Sequence, residues 1–100
     1  MEVLSSSQRQ YLKSLAHHRK SVVQVGKNGL TDQMIKEVDR ALDAHELIKV
    51  KFIDFQDRKQ ELSLELAERS GSERVGLVGN IAILYRKHSD GEKRKIRLPA

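Results

Sequence analysis

From its N-terminus, the chain alternates between apolar positions at helical spacing and short apolar runs at strand spacing. Tyr11, Leu12, Leu15 and Ala16 line one stripe of a first helix, which Ser6 or Ser7 can cap and which ends near His17-His18. Arg9, Lys13 and Lys20 fall away from that stripe. Val22-Val23-Gln24-Val25 is short and β-branched and predicts a buried strand. After a tight loop from Gly26 to Gly29, Thr31 can cap a second helix, and Asp32 in its first turn complements the helix dipole. Met34, Ile35, Val38, Ala41 and Leu42 give this helix the clearest apolar face in the chain. Leu47 to Ile53 predicts a second strand, with Lys49 and Lys51 on one side of it.

Residues 56–69 carry two conflicting rhythms. Leu62, Leu64 and Leu66 alternate like a strand, but the segment is rich in helix formers and Gly71 is placed to stop a helix. The composition and the Gly71 stop predict a helix. Val75 to Val78 and Ile81 to Tyr85 predict two strands around the turn pair Gly79-Asn80. A basic tail, Lys87 to Ala100, closes the chain. The order α-β-α-β-α-β-β predicts a single α/β domain over residues 1–100, with a four-stranded mixed sheet and helices packed on it. Its two strand–helix–strand units favour parallel pairing, and its final hairpin must be antiparallel.

Charge adds what periodicity cannot. The formal net charge is +5, and it is polarised: residues 1–31 carry +4, residues 32–85 carry −3 and residues 86–100 carry +4. If the two ends meet in the fold, they form a basic face suited to a polyanion. The absence of cysteine excludes disulfides and thiolate metal sites and fits a reducing compartment, so a cytoplasmic location is expected. No apolar run approaches the roughly 18 residues of a membrane span. The first residues show no signal-peptide pattern.

The candidate chemistry sits at Gly26-Lys27-Asn28-Gly29. A helix N-terminus offers free backbone N–H groups and a partial positive charge, both favourable to phosphate. Glycine lets a phosphate approach without a Cβ in the way. Lys27 adds a mobile charge, and Asn28 can tolerate a left-handed conformation and hydrogen-bond to sugar or phosphate. KH domains clamp nucleic-acid backbone with a GxxG loop by this logic. A plain strand-to-helix turn is the competing explanation. The spacing fits neither a nucleotide P-loop nor a dinucleotide fingerprint. Arg9, Lys13 and Lys20 join the candidate RNA-binding set on charge alone.

Other constellations carry less. Adjacent histidines on a helix point about 100° apart, so His17-His18 is a poor metal pair, and no metal or other cofactor is expected. Glu61 and Glu65 read as a solvated helix face. His45 is expected to end the second helix and to pack or hydrogen-bond there. With only Tyr11, Phe52, Phe55 and Tyr85 as aromatics, recognition should lean on phosphate, shape and 2′-OH contacts more than on base stacking.

Three runs then make a more specific match: Tyr11 to His18, Val22 to Thr31, and Ala44 to Lys51, with Leu84-Tyr85-Arg86 and Lys95 to Pro99 adding to it. Together they resemble the CRM domain, named for chloroplast RNA splicing and ribosome maturation, and most of all its stand-alone bacterial YhbY-type members. The resemblance covers nearly the whole chain. It implies a fold similar to the C-terminal domain of bacterial translation initiation factor 3. It implies RNA binding through the GxxG loop and a basic surface, and association with precursors of the large ribosomal subunit. Gly26, Lys27, Asn28 and Gly29 are the positions it carries over. The expectation is an RNA-binding assembly factor that is not an enzyme, takes no small-molecule substrate, does not contact membranes and acts as a monomer. A factor binding mature subunits, a basic protein–protein adaptor and, last, a phosphate-substrate enzyme are the rivals.

Overall fold

The computed structural model describes residues 3–100. Helix α1 spans Ser6–His17, strand β1 Val23–Val25, helix α2 Asp32–His45 and strand β2 Leu47–Phe52. A 3-10 turn at Gln56–Arg58 leads into helix α3, Lys59–Ser70, and strands β3, Glu73–Val78, and β4, Ile81–Tyr85, follow. The element order is the expected one.

Residues 59–70 are helical, and the burial follows the helical rhythm and not the alternation. Leu62 and Leu66, four apart, are buried on one face, while Leu64 is half exposed. Gly71 ends the helix in the left-handed region (φ 65°), and the Ser72 N–H reaches back to the Ala67 carbonyl at 2.9 Å, as in a Schellman cap. At α1 the cap is Ser5 and not Ser6 or Ser7. Its hydroxyl accepts the Gln8 N–H, and the Gln8 side chain accepts the Ser5 N–H, a capping box that the Ser-x-x-Gln spacing favours. The α1 stripe is narrower than expected: Leu12 and Ala16 are buried, but Leu15 is only half-buried and Tyr11 is exposed.

The sheet order is β1-β2-β4-β3, with β1 parallel to β2 and β4 antiparallel to both of its neighbours. Thus β2 and β3 run in the same direction but do not pair, contrary to the parallel pairing favoured for the second strand–helix–strand unit. The reason lies in β4. Its five residues are all apolar, and Ala82 to Tyr85 are buried on both faces, so it takes a central position. Strand β3 also begins two residues earlier than expected, with Glu73 and Arg74, and polar residues of this kind suit an edge. Both are satisfied by helices. Glu73 pairs with Arg9 of α1, and Arg74 donates to Gln60 and Ser63 of α3.

The sheet separates two cores. On one face Val25, Val50, Phe52 and Leu84 pack against Met34, Val38 and Leu42 of α2 and Leu62 and Leu66 of α3. On the other, Leu47, Val75, Ile83 and Tyr85 pack against Leu4, Leu12 and Ala16, with Ile96 and Leu98 of the tail beside them. The two basic ends of the chain therefore do meet, on the α1 face.

Candidate nucleic-acid interface

The loop between β1 and α2 is a four-residue turn closed by the Gly29 N–H on the Gly26 carbonyl at 3.0 Å. Lys27 and Asn28 keep negative φ, and the left-handed residue is Gly29 (φ 69°). This fits the commonest turn type, in which glycine is favoured at the last position. The left-handed tolerance ascribed to Asn28 is therefore not used. Thr31 follows as N-cap, its hydroxyl accepting the Met34 N–H at 3.1 Å, so the turn leads directly into the α2 N-terminus. Lys27 and Asn28 are both exposed at the tip.

The two glycines have different reasons to be there. A Cβ on Gly29 would make ordinary contact with the Phe55 ring at 3.6 Å, but its backbone conformation is strained for any other residue. Gly26 is not left-handed, and a Cβ there would meet nothing within 4 Å. The fold thus requires glycine at 29 and not at 26. Gly29→Ala is expected to lower the unfolding free energy by about 1 kcal/mol, and Gly26→Ala to leave it within about 0.5 kcal/mol. Urea denaturation of the pair checks this.

The charge around the loop is mixed. Asp32 stands in the first turn of α2, and the Arg69 guanidinium lies 3.2 Å from its carboxylate while also donating to the Leu30 carbonyl. Asp54 bonds through its N–H to the Val25 carbonyl just before the loop, so a second acidic residue is close. An anion at this turn would meet backbone N–H groups and Lys27, with little help from a wider basic field.

The charge-selected residues lie elsewhere. Arg9 is half-buried, its guanidinium held by Glu73 and by the Arg74 carbonyl across β3. Lys13 is exposed and lays its stem over Gly76. Lys20 sits at the opposite end of β1 from the loop, in a surface depression shared with Arg19, His45 and Lys95. Arg19 is held there by the Leu47 carbonyl at 2.8 Å. His45 does end α2, and it is exposed there. Nor is all of the tail's charge available: Arg86 is clamped by Asp39 at 2.7 Å, Asp43 at 2.9 Å and the Ser70 carbonyl at 2.7 Å.

Glu46 is the residue that sequence reasoning missed. It follows α2 at a positive φ of 62° and is only 1% exposed. Its carboxylate accepts the backbone N–H groups of His88 at 2.8 Å, Lys95 at 2.6 Å and Ile96 at 2.9 Å. Burial alone would raise its pKa. The three N–H bonds, aided by the charge of His88, outweigh that and hold it below its ordinary value. This one side chain fastens the basic tail to the α1 face. Among the described residues no group of three or more His, Asp or Glu converges as a metal site, and no helix is long and apolar enough to cross a membrane.

With this geometry in place, known proteins supply the family. An RNA-binding protein of Haemophilus influenzae is 41% identical over 100 residues, covering 99% of this chain and 98% of its own. A Bacillus subtilis relative named "Probable RNA-binding protein YqeI" is 38% identical over 98 residues, covering 97% of this chain and 100% of its own. The solution structure of the hypothetical protein SAV1595 from Staphylococcus aureus, a candidate RNA-binding protein, superposes with a TM-score of 0.79 at 37% identity. It covers 97% of this chain and 100% of its own. The CRS1 / YhbY (CRM) domain model matches residues 4–86, and the chain belongs to that family.

Proposed function

We propose that the protein binds RNA without covalent chemistry, holding the sugar–phosphate backbone at Gly26-Lys27-Asn28-Gly29, and that it serves large-subunit ribosome assembly in the cytoplasm. The observation that carries the binding reading is Gly26. Nothing inside the molecule demands glycine there, whereas a phosphate approaching the turn and the α2 N-terminus would. Family membership and the RNA-binding names of the relatives support the same reading. Lys13 and Lys20 add exposed charge on other parts of the surface. Arg9 is in second place, because a phosphate would have to displace Glu73.

The test is affinity for a structured large-subunit ribosomal RNA fragment, measured by fluorescence anisotropy across a salt series. Neutralising three to four phosphates gives a slope of log K against log salt near −3, or roughly a sixtyfold loss between 50 and 200 mM. A flat response would overturn the phosphate mechanism. Gly26→Ala should weaken binding severalfold at unchanged stability. Sucrose gradients place the protein in the cell: co-sedimentation with precursor particles fits assembly, and co-sedimentation with mature subunits alone points to a translation-linked role.

A further inference from the structure

Helix α1 covers only half of its face of the sheet. The strand register places Gln24, Lys51, Ile81 and Val78 side by side in one row across all four strands. By alternation this row shares the face of Ile83 and Tyr85, but it lies beyond the helix. Val78 is 64% exposed, Gln24 and Lys51 are exposed and Ile81 is half-buried. Between this row and the last turns of α1 runs a groove of about 410 Å³ lined by Lys13, His17, His18, Lys49, Val78 and Ile81, with no carboxylate among its lining residues. Lys49 is held in place by the Arg19 carbonyl at 2.8 Å. The two histidine rings meet edge to face at 5.3 Å, forming part of the wall.

Such a face sets the aliphatic side chains of Val78 and Ile81 beside the charges of Lys13, Lys49 and Lys51, which suits an anion that also has apolar faces. Unpaired nucleotides meet that description, whereas a duplex hides its base faces in the stack. The row also adjoins the candidate clamp, because Gln24 precedes Gly26 by two residues, roughly 7 Å along the strand. We infer that the open half of the α1 face seats unpaired bases of an RNA strand whose backbone is held at the Gly26–Gly29 turn. This inference rests on the RNA-binding reading above and adds to it single-stranded RNA as the ligand and Val78, Ile81 and Lys51 as its base-contacting row. Base contacts here are made by aliphatic side chains in place of the aromatic ones that the row lacks, beside the phosphate contacts expected of the turn.

The experiment uses the whole chain and three probes: a mixed-sequence single-stranded RNA 12-mer, an abasic strand of the same length, and an RNA hairpin. Amide shifts in the native protein are expected at Gln24, Lys51, Val78 and Ile81 with the 12-mer, and at the turn alone with the abasic strand. Val78→Ser should weaken the 12-mer about fivefold, the scale of one lost apolar contact, and leave the abasic strand unchanged. Native-protein shifts at the row do not depend on how the variant folds. Hairpin binding at the turn with no row shifts from the 12-mer would overturn this inference and leave the RNA reading standing. Equal losses on both strands would overturn it too. Failure to bind any of the three probes would overturn both readings and move the face to a protein partner.

Discussion

Glu46→Gln will destabilise the protein by about 2–3 kcal/mol at neutral pH, the scale of hydrogen bonds to a charged group and of a buried donor left without a partner. One carboxylate oxygen accepts Lys95 and Ile96 and the other accepts His88, so glutamine can keep the first pair only by turning its NH2 toward the His88 N–H. Both side chains tolerate the positive φ equally, so the comparison isolates the carboxylate. For a domain of this size the loss corresponds to roughly 10–20 °C in melting temperature, read by circular dichroism. The effect also has a pH signature. A carboxyl group whose folded pKa is depressed stabilises the fold above its unfolded pKa, and the contribution fades as pH falls through the folded value. The gap between native and variant should therefore be widest at neutral pH and close in acid, below the ordinary carboxyl value of 4.5. A gap of the same size at both ends of the titration would show that charge plays no part. Hydrogen exchange should localise the damage, with the Lys95 and Ile96 amides losing protection before the strands do.

The double substitution Lys27→Asp, Asn28→Asp is expected to weaken binding to the ribosomal RNA fragment at least tenfold, about 1.4 kcal/mol, without loss of stability. Both positions are exposed and have ordinary backbone conformations, and carboxylates close to a helix N-terminus favour the helix dipole. The same charges repel phosphate from the N–H groups that would receive it. Binding should therefore fall while the melting temperature holds or rises slightly, a combination that general unfolding cannot produce. If affinity survives the change, the turn is only a turn and the RNA is held by Lys13, Lys20 and the sheet face.

The local elements were legible because their causes are local. The period of Met34, Ile35, Val38 and Leu42, the Gly71 stop, the Thr31 cap and the Gly79-Asn80 turn each act within a few residues, and the structure follows all of them. So was the Gly26–Gly29 turn, because a turn between a strand and a capped helix is written in consecutive residues. Two further features are also local. The Ser5-x-x-Gln8 spacing favours Ser5 as the cap over its neighbours, and the unbroken apolar run of β4 marks a central strand.

What only the tertiary structure decided depends on partners far away in the chain. A basic residue does not announce its counter-ion: Arg9 and Arg86 contribute to the charge excess at the two ends, yet carboxylates 64, 47 and 43 residues away engage them. The role of Glu46 depends on amides more than forty residues later, and from sequence it is one more acid among fourteen. The open row needs the register of all four strands and the reach of α1 before it exists. Sequence determined where the helices, strands and the Gly26–Gly29 turn lie, because backbone propensity and periodicity are short-range. The fold decided which charges stay available and which surface stays bare, because pairing and burial are settled between segments that meet only once the chain has folded.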